Sequence, residues 1–387
     1  MSVSGEFGLV FPQDEYDRRL AAVRQGMAAR GVDVLLLFAP TNLHYLTGYN
    51  TVGYSNYQCL LVPMEGEPVL VVRLLEGPVA GATTWLRRIV TYQDHEDPAG
   101  AVRRALHEVG WTSRRMGAEQ TSDFLSVKRY RHLEEVLGAS LADGSGIVEQ
   151  VRLIKSPLEL ACYREAARCT AAGLDAIINA VAEGKIENQV VAEGYRAMVA
   201  AGSEFFSSQP VVTAGEKSGL AHTTFHRRVL RRGDAVLIEI GAVWNRYTAP
   251  QMRTAAVGEA SPAIRKAYDA CREALEATIA AIRPGARSMD VQAACQAVID
   301  RRGYEPNFRK RVGYSVGVGI APDWSEGYIM DLKHHDEREL RAGMVFHVVP
   351  ALRQHREFAV GVSETVAVTE KGAEVLTRFP RDLFVRG

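Results

Sequence analysis

Glu239 is the lone acid in Ala-Val-Leu-Ile-Glu-Ile-Gly, residues 235–241. An ionised carboxylate in such a run is costly unless it is paired or hydrogen-bonded. It therefore marks either a structural ion pair or an active site. Glu364 repeats the pattern in Ser363-Glu364-Thr365-Val366-Ala367-Val368-Thr369, a second strand with one isolated acid. His222 lies upstream of a Gly233-Asp234 turn, and a histidine titrates where proton transfer near neutral pH requires it. Tyr314 and His347 are candidates to hydrogen-bond a developing tetrahedral oxygen or to hold a substrate carboxylate, with plain packing as the alternative. Trp324 and Phe346 could wall a pocket or belong to the core. Arg253 is the natural partner if either glutamate is structural. The run His334-His335-Asp336-Glu337 reads as an exposed loop rather than a metal site.

These residues need a scaffold, and 387 residues exceed what one ordinary core serves, so two domains are expected. Forty-six basic side chains balance forty-six acidic ones, which gives no electrostatic footprint for nucleic acid or a membrane surface. His226-Arg227-Arg228 and Arg309-Lys310-Arg311 read as solvated turns. Five scattered cysteines read as reduced packing residues, and no apolar run reaches a membrane span or a signal sequence. A soluble, cytoplasmic protein is expected.

Helical spacing over 12–30, a strand at 33–38, a hairpin over 58–74, a helix at 99–109, a strand near 116 and a helix over 123–137 alternate as in a compact α/β domain. It has no nucleotide-phosphate loop. His44, Tyr45, Tyr49, Tyr54, Asn56 and Tyr57 line either a binding site or that domain's surface. The boundary falls near 150, in a small and polar stretch. Ser156-Pro157-Leu158-Glu159 then starts a helix with a capping box. Two helices, strands, two helices and strands follow, an α+β order that hints at internal duplication.

This spacing resembles the creatinase and methionine aminopeptidase family. The resemblance is carried by Val151–Ala167, by His222 to Gly233-Asp234, by the strand ending in Arg253-Thr254, by the glycine-rich segment from Gly313, and by Ser363–Thr377. It implies an α+β fold, with a pita-bread catalytic domain over 151–387 and a smaller α/β creatinase-type domain over 1–150. It also implies a homodimer whose N-terminal domain closes the neighbour's site. Peptidases of this family hold two metal ions on two aspartates, a histidine and two glutamates. The matching positions here are Glu239, Pro250, Tyr314, Val349 and Glu364, of which only Glu364 is unaltered. Proline and valine offer no donor atom, so neither a metal nor another cofactor is expected.

The pattern is most similar to the metal-independent branches, the creatinases and ectoine hydrolases. His222 matches their substrate-facing histidine and becomes the candidate to activate water. Glu239 and Glu364 become a carboxylate pair suited to a guanidinium or amidinium cation. Tyr54 and Asn56 stand where creatinases carry the phenylalanine and arginine that reach the neighbouring subunit's substrate, which makes creatine a poor fit. The expected catalytic residues are His222, Glu239 and Glu364; those expected to bind substrate are Tyr314, His347, Arg253, Trp324, Tyr54 and Asn56. The expected function is metal-independent hydrolysis of a non-peptide C–N bond in a small amino-acid-derived molecule: an ectoine-like cyclic amidine, a guanidino acid or an acylated diamino acid. Elimination chemistry on the same residues and a non-catalytic binding protein are the alternatives.

Overall fold

A computed structural model describes residues 8–308 and 310–387; Arg309, at the head of one basic cluster, lies outside them. The chain divides into two compact units, with the break between Arg152 and Leu153. The first is built on strands β1 (Val34–Leu37), β2 (Cys59–Pro63), β3 (Val69–Arg73), β4 (Ile89–Tyr92), β5 (Met116–Ala118) and β6 (Ala142–Asp143). They form one mixed sheet in the order β4-β3-β2-β1-β5-β6. β1, β2 and β3 are antiparallel, and the outer pairs are parallel. Helices such as Gln13–Ala29, Pro98–Glu108 and Val127–Leu137 fill the intervals. His44, Tyr45, Tyr49 and Tyr57 are buried, so this part of the aromatic cluster is core rather than surface. Tyr45 stacks under the Arg19 guanidinium at 4.1 Å.

The second unit carries β7 (Val211–Ala214), β8 (Ala235–Trp244), β9 (Tyr247–Val257), β10 (Gly313–Ile320), β11 (Asp323–Ser325), β12 (Asp331–Leu332), β13 (Val345–Val348), β14 (Ala351–Gln354), β15 (Phe358–Gly361), β16 (Glu364–Thr369), β17 (Gly372–Val375) and β18 (Phe384–Arg386). The main sheet runs β17-β16-β13-β10-β9-β8-β7, and β14 and β15 form a separate hairpin. This is an α+β arrangement of helix pairs and a largely antiparallel sheet. β8 and β9 are joined by Asn245 and Arg246, with φ of 51° and 69°. Positive φ at both positions is what a tight two-residue hairpin needs to follow the strand twist.

Two helix pairs make two cores. Pro157–Ala180 and Glu187–Ala200 pack on β7, β8 and β9; Pro262–Ala281 and Ser288–Arg301 pack with β13 to β16. The capping box closes as expected, Ser156 Oγ accepting the Glu159 N–H at 3.2 Å and Glu159 accepting the Ser156 N–H at 2.9 Å. A Cβ on Gly173 would lie 2.4 Å from Met198, and one on Gly194 would lie 2.5 Å from Ile177. Glycine lets these two helices touch backbone to side chain. Phe346 belongs wholly to the second core and walls no pocket. All five cysteines are buried thiols, and among the described residues no helix is long and apolar enough to cross a membrane.

The alternation along β8 sets up the site. Val236, Ile238 and Ile240 face the helices, whereas Leu237 joins an inner cluster with Met252, Val349, Ala351 and Ala359. Side chains two apart share a face, so Glu239 projects with Leu237 toward that inner side.

Candidate functional site

The inner side opens into a cavity of about 1110 Å³ lined by His222, Glu239, Lys310, Tyr314, Trp324 and Arg353, among others. His222 sits on an exposed turn at φ 55°, in the left-handed region that a residue with a Cβ seldom adopts. Its ring makes no hydrogen bond with the described residues, so it faces the cavity unanchored. Glu239 pairs across the hairpin with Met252 and, among the described residues, has no arginine or lysine in an ion pair. His347 Nδ1 lies 3.9 Å from its Oε1. Burial raises the Glu239 carboxyl above its ordinary range, against the pull of the Arg353 and Lys310 cations.

Behind Glu239 lies a hydrogen-bonded chain. Trp324 Nε1 donates to the Tyr314 hydroxyl at 3.0 Å; that hydroxyl is 2.9 Å from His347 Nδ1, and His347 Nε2 is 2.6 Å from Ser363 Oγ. Ser363 Oγ already accepts the Met252 N–H at 2.6 Å. Burial first, and Lys310 second, hold His347 well below the usual histidine range, so its ring is neutral and carries one N–H. If the Ser363 hydroxyl gives its proton to Nε2, the ring proton is on Nδ1 and goes to Tyr314. In the other tautomer Nε2 donates to Ser363 and the phenol donates to Nδ1; the first arrangement is the one that serves the cavity. Tyr314 then accepts twice and keeps its own O–H for the cavity. Burial, with Glu239 next, raises the Tyr314 phenol well above its ordinary value, which keeps it a donor.

Glu364 is placed differently. Its Oε1 accepts from Arg253 and from Arg381, both at 2.8 Å, and its Oε2 accepts from Gln251 at 2.7 Å and from Thr377. Arg253 spends its guanidinium on Glu364 and on the carbonyls of Met252, Ser363, Phe379 and Pro380, at 2.7–2.8 Å. A guanidinium has five N–H groups, and all five are used. The readings of Glu364 as catalytic and of Arg253 as substrate-binding are therefore corrected: together they form a buried ion pair off the cavity wall. His347 touches no open space and acts on the cavity only through Tyr314. Tyr54 and Asn56 belong to the first unit, where the Tyr54 ring packs edge-on to Phe124 at 6.4 Å and Asn56 Nδ2 donates to the Gly53 carbonyl at 3.0 Å.

The basic turn is the second correction. Lys310 is no solvated side chain: it lines the cavity and donates to the Val349 carbonyl, with its amine pushed down to about 8, by burial first and then by Arg353. Arg311 also reaches the cavity and pairs with Asp331 at 2.8 Å. Lys310, Arg353 and Ser363 are site residues that reading by type and spacing missed. The available signal was the strand alternation that turns Arg353 to the face of Ala351. The loop reading of His334-His335-Asp336-Glu337 stands on Asp336, which is tied to Arg338.

A pair of metal ions does not fit this donor set. Pro250 and Val349 bring carbon where ligands would stand, Glu364 is consumed by two arginines, and no group of three potential ligands occurs among the described residues.

Residues 161–370 match metallopeptidase family M24, and residues 19–154 match the creatinase/prolidase N-terminal domain. The chain belongs to metallopeptidase family M24. It is 32% identical to an ectoine hydrolase of Halomonas elongata over 98% of this chain and 100% of that protein. It is 25% identical to a Xaa-Pro dipeptidase of Pyrococcus furiosus, over 94% and 99%. Its fold is similar to that of the dipeptidase PepE of Mycobacterium ulcerans, at TM-score 0.83 and 25% identity over 97% and 99% of the chains. A prolidase of Thermococcus sibiricus shares the fold at TM-score 0.86, with 24% identity over 96% and 99%. The second unit of this M24 hydrolase is thus the pita-bread domain.

Proposed function

We propose that this M24 chain hydrolyses a non-peptide C–N bond in a small amino-acid-derived cation, of the cyclic amidine, guanidino acid or acylated diamino acid kind, without a metal. The observation that carries the reading is the cavity wall itself: Glu239, with no arginine or lysine partner among the described residues, and Tyr314 stand at positions that the family resemblance gives to metal ligands. Likeness to an ectoine hydrolase over nearly all of both chains supports the amidine class.

In this reading Glu239 accepts hydrogen bonds from the cation and orients its central carbon. His222 takes a proton from water as the oxygen bonds to that carbon, giving a tetrahedral adduct. Tyr314 donates to the new oxygen, which becomes the product carbonyl as one C–N bond breaks. The proton held by His222 goes to the departing nitrogen, and the proton left on the new oxygen passes to His222 as the carbonyl forms, so one water is consumed and no redox change occurs. Trp324 supplies an apolar wall against bulk water.

A peptidase reading draws on the Pyrococcus furiosus relative and is separated by metal dependence. Ectoine, guanidino acids, acylated diamino acids and Xaa-Pro dipeptides should be assayed with and without a strong chelator, in heavy-oxygen water. Undiminished turnover of a non-peptide substrate in chelator, with label in the product carbonyl, is the expected result. Loss of activity restored by manganese or cobalt would overturn the metal-free reading, and product without label would indicate elimination. His222→Ala should keep its circular dichroism and lose about 100-fold or more in kcat.

A further inference from the structure

The described lysine and arginine side chains that line the cavity are Lys310, Arg311 and Arg353, and Arg311 is matched by Asp331. Off the cavity, Arg338 has Asp336, and Arg253 and Arg381 share Glu364. Lys310 and Arg353 are the exceptions. Neither is in an ion pair with any described residue, both line the cavity, and both act electrostatically on Glu239 without touching it. The hydrogen bond of Lys310 goes to a neutral carbonyl, that of Val349. Arg353 Nε is buried with no hydrogen-bond partner. A buried guanidinium N–H left unsatisfied is costly, and so is a lysine ammonium held in the cavity wall beside a second cation. One Glu239 carboxylate set apart from both does not satisfy either.

We propose that Lys310 and Arg353 form a carboxylate subsite, so that the substrate is a zwitterion with its C–N cation at Glu239 and its carboxylate between Lys310 and Arg353. The proposal rests on the amidine or guanidine reading above and narrows it to amino-acid derivatives with a free carboxylate. A planar carboxylate accepts two parallel hydrogen bonds from an arginine edge. It would supply the negative charge that balances the two cations. Of the groups assigned to a substrate carboxylate from sequence, His347 is engaged with Tyr314 and Ser363, and the O–H of Tyr314 is taken by the new oxygen in the reading above. That leaves the carboxylate role to the two unpaired cations.

The test is calorimetric binding to the wild-type full chain, to Arg353→Gln and to Lys310→Met. Three probes are used: ectoine, the same methylated tetrahydropyrimidine ring without its carboxylate, and acetate alone. Wild type should bind ectoine about 10- to 100-fold more tightly than the ring lacking the carboxylate. Both variants should lose that advantage while binding the bare ring as wild type does. An advantage undiminished in both variants overturns the subsite, as does a wild type that responds neither to the carboxylate on the ring nor to acetate. Acetate binding that disappears in the variants, together with no binding of either ring, supports the subsite and sinks the amidine reading instead.

Discussion

Two glutamates that look alike in sequence carry opposite expectations at the scale of the residue. Glu364 holds two arginines, a glutamine and a threonine. Removing its charge leaves a fully buried Arg253 without its anion, and breaking a buried pair from one side costs about 3–5 kcal/mol. Glu239 has no such partner among the described residues, and its charge is disfavoured by burial. Glu364→Gln should therefore lower the urea midpoint substantially while the molecules that remain folded stay active. Glu239→Gln should leave the midpoint level or raise it and abolish turnover. The measurement is a denaturation curve beside activity per folded molecule. Equal stability losses in the two variants would mean that Glu239 is structural after all. From sequence each acid could be flagged as anomalous, but which one had a partner depended on Arg381 and Thr377, more than a dozen positions further on. Nothing local in the chain announces that contact.

Capping and alternation made most elements legible. Ser156 with Glu159, the glycines after helix ends and the apolar runs of β8 and β9 are local signals, and they place the catalytic unit's helix pairs and long hairpin. What stayed hidden were interactions made between elements. The short helix Pro40–Thr47 begins at Ala39, which offers no cap of its own. The N–H groups that lead into it are served from a distant segment: Glu119 accepts from Phe38 at 2.6 Å and from Ala39 at 2.8 Å. Burial, then Glu149, pushes this carboxyl up to about 7. An acid whose folded value exceeds its unfolded one binds more protons when folded. Over the window between its ordinary 4.5 and about 7, stability therefore falls as pH rises. The first unit's protection against amide exchange should decline across that window in wild type, and Glu119→Gln should flatten the decline. A variant with the same pH profile as wild type would show that Glu119 is not the titrating group. Lys310 escaped notice for a related reason. A run of basic residues next to a turn reads as solvated until Val349, just past the end of β13, is packed beside it.

At the scale of the whole molecule, the open question is whether one chain makes one site. His222 lacks an anchoring partner among the described residues, and the creatinase resemblance assigns Tyr54 and Asn56 to the site of a second copy. We therefore expect a homodimer with sites shared between subunits, whose molecular mass sedimentation would report as twice that of the chain. Subunit mixing gives the stricter check. His222→Ala and the double variant Tyr54→Ala, Asn56→Ala should each be inactive alone. In a shared-site dimer, mixing them places both lesions in one site of each mixed dimer and leaves the other site intact. Random exchange between two such populations makes half the dimers mixed, so roughly a quarter of all sites should recover wild-type turnover. If each chain completes its own site, every site keeps a lesion and mixing restores nothing. A double variant that is fully active by itself would remove Tyr54 and Asn56 from the chemistry altogether, and would leave the cavity residues of the second unit to account for the reaction alone.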